Sequence, residues 1–213
     1  MPGPVSRRLR AGAPIETGPS AAQLGRGAAK APHEVRLIGG QWKRSKLPVA
    51  DKPGLRPTPD RVRETLFNWL GPDLTGWRCL DAFAGSGALG FEAASRGAAE
   101  VLLIERDGDL VRSLRASQQR LKASTLQVAQ ADVLAWMARC APQRFELVLI
   151  DPPFAAGLQP AALAAAAPLV AEGGLLYVEG PALLTAAELP AGFAVLREAR
   201  AGLVHYHLLR RSS

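Results

Sequence analysis

At 213 residues and 48% hydrophobic composition the chain is long enough for one substantial core, and its net charge of +7 is unevenly spread. Residues 1–34 hold five Lys/Arg against two acids, residues 35–70 eight against three, and residues 71–213 thirteen against fourteen. The positive surplus therefore precedes the main body and points to a polyanionic partner, nucleic acid foremost, with a merely solvated basic face as the alternative. No apolar run reaches bilayer length and no signal-peptide core is present, which argues against a helical membrane protein. Two cysteines, Cys79 and Cys140, are too few for a disulfide framework or a zinc site and read as free thiols. A cytoplasmic, monomeric protein without bound metal is expected.

Residues 1–34 are rich in Gly, Pro, Ala and Arg without apolar period, so they read as a disordered basic leader. A transit peptide is conceivable there, but recurring Pro and Gly spoil helical amphipathicity. Val35 to Ile38 and Lys46 to Val49 read as short strands flanking Gly39-Gly40-Gln41-Trp42-Lys43-Arg44. Cations beside an aromatic suit phosphate contact and base stacking. For Trp42 itself, a small hairpin whose indole packs on the core is the stronger reading.

Arg56-Pro57-Thr58-Pro59 opens a helix, with Thr58 as N-cap and Pro59 as first helical residue. Val62, Leu66, Trp69 and Leu70 share one face, and Gly71-Pro72 ends the run. Arg56, Arg61 and Arg63 crowd the start, a place to meet a carboxylate or a phosphate.

Arg78 to Phe83 is a buried strand running into Ala84-Gly85-Ser86-Gly87-Ala88-Leu89-Gly90. Gly85, Gly87 and Gly90 match the dinucleotide fingerprint, which alone is weak. Asp81, just ahead of the loop, would repel a pyrophosphate but could bind a ligand ammonium. A second strand ends at Glu105, placed for bidentate bonds to a ribose diol. A helix follows from Asp109 to Lys122, then a strand near Leu126 to Ala129. Asp132 could accept an adenine amine with Val133 against the ring, or serve as the N-cap of the next helix; both can hold.

Phe145 to Ile150 has the length and branching of a buried parallel strand, and Asp151-Pro152-Pro153-Phe154 follows it. Neither proline has an N–H, so the turn offers carbonyl acceptors. With the Asp151 carboxylate and the Phe154 ring, it suits a planar base carrying an exocyclic amine. An ordinary turn is the competing reading of that tetrapeptide alone. An alanine-rich helix from Pro160 to Val170, a strand from Gly174 to Glu179, and a hairpin turning near Ala201-Gly202 complete the chain.

Strands alternate with helices until that hairpin, which argues an α/β fold. Ligands of such sheets bind beyond the carboxyl ends of the strands. Asp81, Glu105, Asp132 and Asp151 all fall there, and their convergence is the main argument. A NAD-linked oxidoreductase is supported only by the glycine spacing, and a non-catalytic RNA-binding protein only by the charge. An adenine-N6 or cytosine-N4 methyltransferase acting on DNA is the nearest rival, because acceptor-Pro-Pro-aromatic serves any exocyclic amine.

The chain closely resembles the bacterial 16S rRNA guanine-N2 methyltransferase family known as RsmD. The resemblance spans Val35 to Arg210 and is carried by Arg36 to Trp42, Leu55 to Thr58, Asp60 to Leu70, Asp81 to Gly90 and Asp151 to Phe154. It implies a Rossmann-like class I methyltransferase: a seven-stranded, mostly parallel sheet ending in an antiparallel hairpin, with a small basic N-terminal extension. It further implies S-adenosylmethionine at the glycine loop and a target guanine in small-subunit RNA on an assembled subunit. The segments expected are the leader 1–34, an RNA- and cofactor-contacting hairpin and helix 35–71, and a methyltransferase domain 72–213. Expected catalytic residues are Asp151, Pro152, Pro153 and Phe154. Cofactor contacts are expected from Thr58, Arg61, Asp81, Phe83, Gly85, Ser86, Gly87, Glu105, Arg106, Asp132, Val133 and Asp151. RNA contacts are expected from Arg36, Trp42, Lys43, Arg44, Lys46, Arg56 and Arg63. Ala155-Ala156 depart from the polar or basic residue that often follows the motif, so RNA contacts from that loop must come from elsewhere.

Overall fold

Continuous apolar runs on buried strands set the architecture in the computed structural model, which describes residues 34–52, 58–153 and 156–212. Two short strands, β1 (Glu34–Arg36) and β2 (Lys46–Pro48), pair antiparallel; α1 (Asp60–Leu70) follows. Then come β3 (Arg78–Asp81), α2 (Ala88–Ser95), β4 (Glu100–Glu105), α3 (Gly108–Leu121), β5 (Leu126–Gln130), α4 (Val133–Met137) and β6 (Phe145–Ile150). The chain closes with α5 (Gln159–Ala166), β7 (Val170–Gly180), β8 (Phe193–Ala201) and β9 (Val204–Arg211). The main sheet has seven strands in the order β5-β4-β3-β6-β7-β9-β8. Pairings from β5 to β7 are parallel, and β9 runs antiparallel to both β7 and β8.

Because helices cover both faces, the central strands are apolar throughout rather than alternating with polar residues. One face presents Cys79, Val101, Leu103, Leu147, Leu149 and Tyr177 to Val62, Leu66 and Phe67 of α1 and to Leu89 and Phe91 of α2. The other presents Leu80, Leu102, Ile104, Val148, Ile150 and Val178 to Val133 and Met137 of α4 and to Ala162 and Leu163 of α5. From β3 the chain winds outward to β5, then returns to place β6 on the other side of β3. That reversal opens a crevice at the carboxyl ends of β3 and β6. Among the described residues no helix is long and apolar enough to cross a membrane.

The β1–β2 hairpin is clamped to α2 by buried polar groups. Glu92, fully buried, accepts from the N–H groups of Ile38 (2.8 Å) and Gly39 (2.7 Å) and from Arg96 Nε (2.9 Å). The Ser95 hydroxyl donates to Gly39 O (2.6 Å) and accepts from the Trp42 N–H (2.9 Å). Only glycine fits at position 40: its φ is +70°, and a Cβ would sit 1.8 Å from the Ser95 carbonyl oxygen. The indole of Trp42 is partly buried against the core, as the hairpin reading expects.

Candidate active site

The crevice is a cavity of about 520 Å³, lined by segments from seven stretches of the chain. Strand register decides which acids meet in it. Asp81 lies opposite Leu149, and Leu149 opposite Tyr177. Side chains alternate, so Asp151 and Glu179, each two residues further on, share the face of Asp81 at the ends of adjacent strands. All three line the cavity, as does Glu105 at the end of β4.

Each acid has a defined partner. Gly87, with φ +77°, is the N-cap of α2 and has no side chain to cap it. The Asp81 carboxylate of the preceding strand takes that place, accepting the Gly90 N–H at 2.9 Å. Glu105 bridges two turns: it accepts from the N–H groups of Gly85 (3.0 Å) and Asp107 (2.9 Å). Asp132 caps α4 by accepting the Ala135 N–H at 2.9 Å and still lines the cavity beside Val133. Asp151 accepts from the Thr58 hydroxyl at 3.0 Å. Thr58 is therefore not the helix N-cap its sequence context suggests. Pro59 holds that position without a side-chain cap, and the hydroxyl is drawn to a carboxylate from a distant strand.

Among the described residues no cation pairs with Asp81, Glu105, Asp132, Asp151 or Glu179. Burial pushes Asp81 up to about 7, opposed by its Gly90 hydrogen bond and reinforced by the negative Asp151 and Glu105. Burial likewise lifts Asp151 to about 6, opposed by the Thr58 hydroxyl. Glu179 is raised well above the carboxylate range by burial and by the nearby Asp151 charge. Buried carboxyls lifted in this way are a receptor for positive charge in a ligand. At the rim, the Lys52 ammonium is held by Asp107 (2.5 Å) and Asp109 (2.9 Å).

The crevice gathers most of the expected residues: Thr58, Asp81, Phe83, Gly85, Ser86, Glu105, Arg106, Asp132, Val133, Asp151, Pro152 and Pro153 line it. Gly87 is buried behind it and shapes the loop without touching the cavity. Arg61 is exposed on the first turn of α1 and lines no part of it. In the Pro-Pro turn, the Pro153 carbonyl accepts the Ala156 N–H at 3.0 Å, so this acceptor is used in closing the turn. Phe154 and Arg56 lie outside the described residues, as do residues 1–33 of the expected leader.

Arg63 is the clear correction among the expected RNA contacts. Its side chain is fully buried, donating to Asp60 (2.7 Å) with Glu92 4.0 Å away. The carboxylates that the start of α1 attracts belong to the protein itself. Lys46 is half exposed but paired with Glu34 at 2.6 Å, whereas Arg36, Lys43 and Arg44 are exposed without a carboxylate partner among the described residues.

Sequence reasoning passed over Glu179, Lys52, Asp107 and the hairpin residues Leu203 and Val204, all of which line the cavity. Glu179 ends β7 as the other acids end theirs, so the same positional argument would have found it. Asp107 carries the signature of a helix N-cap, accepting from Asp109 and Leu110. Leu203 has no local signal, because only the fold-back of the last hairpin brings it there.

The comparisons with known proteins agree with this geometry. The family described as Conserved hypothetical protein 95 matches residues 35–210. Ribosomal RNA small subunit methyltransferase D of Escherichia coli is 43% identical over 182 residues, covering 84% of this chain and 91% of that protein. The protein of the same name from Haemophilus influenzae is 41% identical over 187 residues, covering 82% and 93%. The solved structure of yhhF from Escherichia coli superposes with a TM-score of 0.75 at 41% identity, covering 84% of this chain and 98% of the other. On this match, and on the glycine loop and Asp-Pro-Pro turn that meet in its crevice, the chain belongs to the Conserved hypothetical protein 95 family, the RsmD family whose motifs it carries.

Proposed function

We propose that this protein methylates the exocyclic N2 of a guanine in 16S rRNA of the small ribosomal subunit, with S-adenosylmethionine as methyl donor. The observation that carries the reading is Asp151, beside two prolines at the switch point of the sheet and in a cavity whose buried acids have no cation partner among the described residues. The names of the relatives support the RNA class.

The residues present fit that cofactor. Asp81 would take its ammonium, Glu105 the ribose diol, Asp132 and Val133 the adenine, and the turn at Gly85 and Ser86 the close backbone approach. When bound, S-adenosylmethionine supplies an electrophilic methyl group and positive charge. Its charge is what the lifted Asp81 and Asp151 carboxyls call for.

Guanine N2 is a poor nucleophile because its lone pair is delocalised into the ring. Asp151 and the Pro152 carbonyl would hold the two N–H groups, fix the nitrogen on the line of attack and favour its pyramidal form. Positioning and charge placement then supply most of the acceleration. Held at about 6, Asp151 is ionised at neutral pH and able to receive the amine proton once the new N–C bond has formed. The base must leave its stack to enter the crevice. Phe154, assigned this part from sequence alone, would return roughly 1–3 kcal/mol of that cost by stacking. Arg36, Lys43 and Arg44 would hold phosphates, which position RNA without reading it.

Transfer of labelled methyl groups to small subunits, naked rRNA and DNA tests the substrate class. Label in ribosomal RNA is expected. Label confined to DNA, or a protein that binds NADH and not S-adenosylmethionine, would refute the reading.

A further inference from the structure

Leu203 is 81% exposed, more than any other large apolar side chain among the described residues, and it lines the mouth of the crevice. It stands in the two-residue turn between β8 and β9, which Ala201 and Val204 close as a pair. Gly202 takes φ +62° at the first central position, the glycine-first pattern of a II′ hairpin, and Arg200 Nε donates to its carbonyl at 2.6 Å. Such a turn favours a small polar residue after the glycine, so its geometry does not call for leucine. Exposed as it is, the side chain adds little to the core either.

The order of the sheet places this tip. β9 runs antiparallel to β7 with His205 opposite Gly180, so the turn lies beyond the carboxyl end of β7. Along the crevice come the glycine loop after β3, Asp151 after β6, Glu179 at the end of β7, and Leu203 last. A cofactor at the glycine loop and a base at Asp151 leave Leu203 beside the base, on the side away from the cofactor. Residues 193–211 hold four arginines against one acid. Of these, Arg197 and Arg200 are exposed without a carboxylate partner among the described residues. An apolar side chain projecting from a cationic hairpin has the form of a wedge that enters a base stack.

We propose that Leu203 is such a wedge: as the target guanine swings into the crevice, the isobutyl group enters the gap and packs on the base that had stacked against it. A vacated position in a stack exposes apolar base faces, and that cost opposes extrusion of the target. Leu203 offsets part of it and obstructs the return of the guanine, so the extruded state is more populated. It makes no bond to the reacting amine and moves no proton. The inference rests on the amine-methylation reading and adds to it the residue that holds the RNA open.

Two measurements test this. Single-turnover methyl transfer to small subunits, with S-adenosylmethionine saturating, should slow about tenfold in Leu203→Ala, the order expected when three carbons leave an apolar contact. Leu203→Met should keep most of the rate, because a wedge needs bulk rather than branching. Both variants should keep the wild-type Tm and S-adenosylmethionine affinity, since the side chain is exposed and far from the glycine loop. Leu203→Ala as fast as wild type overturns the proposal. The second measurement does not depend on rate. Cys79 is buried, so in a Cys140→Ser background Leu203→Cys gives one accessible thiol for tethering iron–EDTA. Hydroxyl radicals from that tether should cut 16S rRNA at the nucleotides flanking the one that wild type methylates. Cuts remote from that nucleotide, or none, overturn the wedge. Label transfer by wild type separates the two failures: without label on a guanine the amine-methylation reading itself falls, and with it present the Leu203 results judge the wedge alone.

Discussion

In the proposed reaction Asp151 concentrates the chemistry in a single carboxylate whose role is to accept the substrate amine rather than to remove its proton beforehand. Asp151→Ala is expected to lower the single-turnover rate by roughly 10²–10³, the scale of losing one preorganised polar group, while S-adenosylmethionine and RNA still bind. Asparagine keeps a carbonyl acceptor, so Asp151→Asn should retain far more of the rate. Equal, near-zero rates for the two variants would make Asp151 an obligatory base and defeat the orientation mechanism. The pH dependence follows from its raised value. Protonation as pH falls through about 6 removes the negative charge and leaves one carbonyl acceptor, so the wild-type rate should decline below that value toward the rate of the Asn variant, which lacks this limb. Sequence disclosed Asp81, Glu105 and Asp151 because an acid ending an apolar strand is conspicuous and the fold sends strand ends to one crevice. It misplaced Arg63 for a physical reason. A buried arginine differs from a surface one only through its partner, and Glu92 lies on another helix.

At the scale of elements, every strand and helix of the main sheet was readable from apolar runs and turn residues, with ends shifting by a few residues. The exceptions are tertiary. Thr58 reads as a helix cap by local chemistry but bonds Asp151 instead. Trp42 sits among cations in sequence but packs partly against the core in space. The hairpin ahead of α1 is held to α2 by the buried Glu92 and Ser95. Glu92→Ala would free the N–H groups of Ile38 and Gly39 and leave Arg63, whose Nη1 has no hydrogen-bond partner among the described residues, without its second carboxylate. Breaking a buried pair by removing one member costs about 3–5 kcal/mol, so urea unfolding should register a loss of that size. A change under about 1 kcal/mol would show that Ser95 and the apolar residues hold the hairpin without Glu92.

Across the whole molecule, charge is divided between a basic N-terminal face and an acidic crevice. The exposed Arg36, Lys43 and Arg44 belong to the first, whereas Lys46 is engaged with Glu34. Neutralising Arg36, Lys43 and Arg44 together should flatten the salt dependence of RNA binding, by roughly 0.7–0.9 log units of slope for each phosphate no longer held. Cofactor affinity, set in the crevice, should stay the same; an unaltered slope would place the RNA grip elsewhere. The central claim is narrower still: the crevice methylates an exocyclic guanine amine. Its most direct test is to incubate small subunits with labelled S-adenosylmethionine and wild-type protein, digest the 16S rRNA to nucleosides and identify the labelled one by mass spectrometry. N2-methylguanosine is the expected product, with almost none formed by Asp151→Ala. Label on a ring carbon, a ring nitrogen or a ribose hydroxyl would contradict the claim.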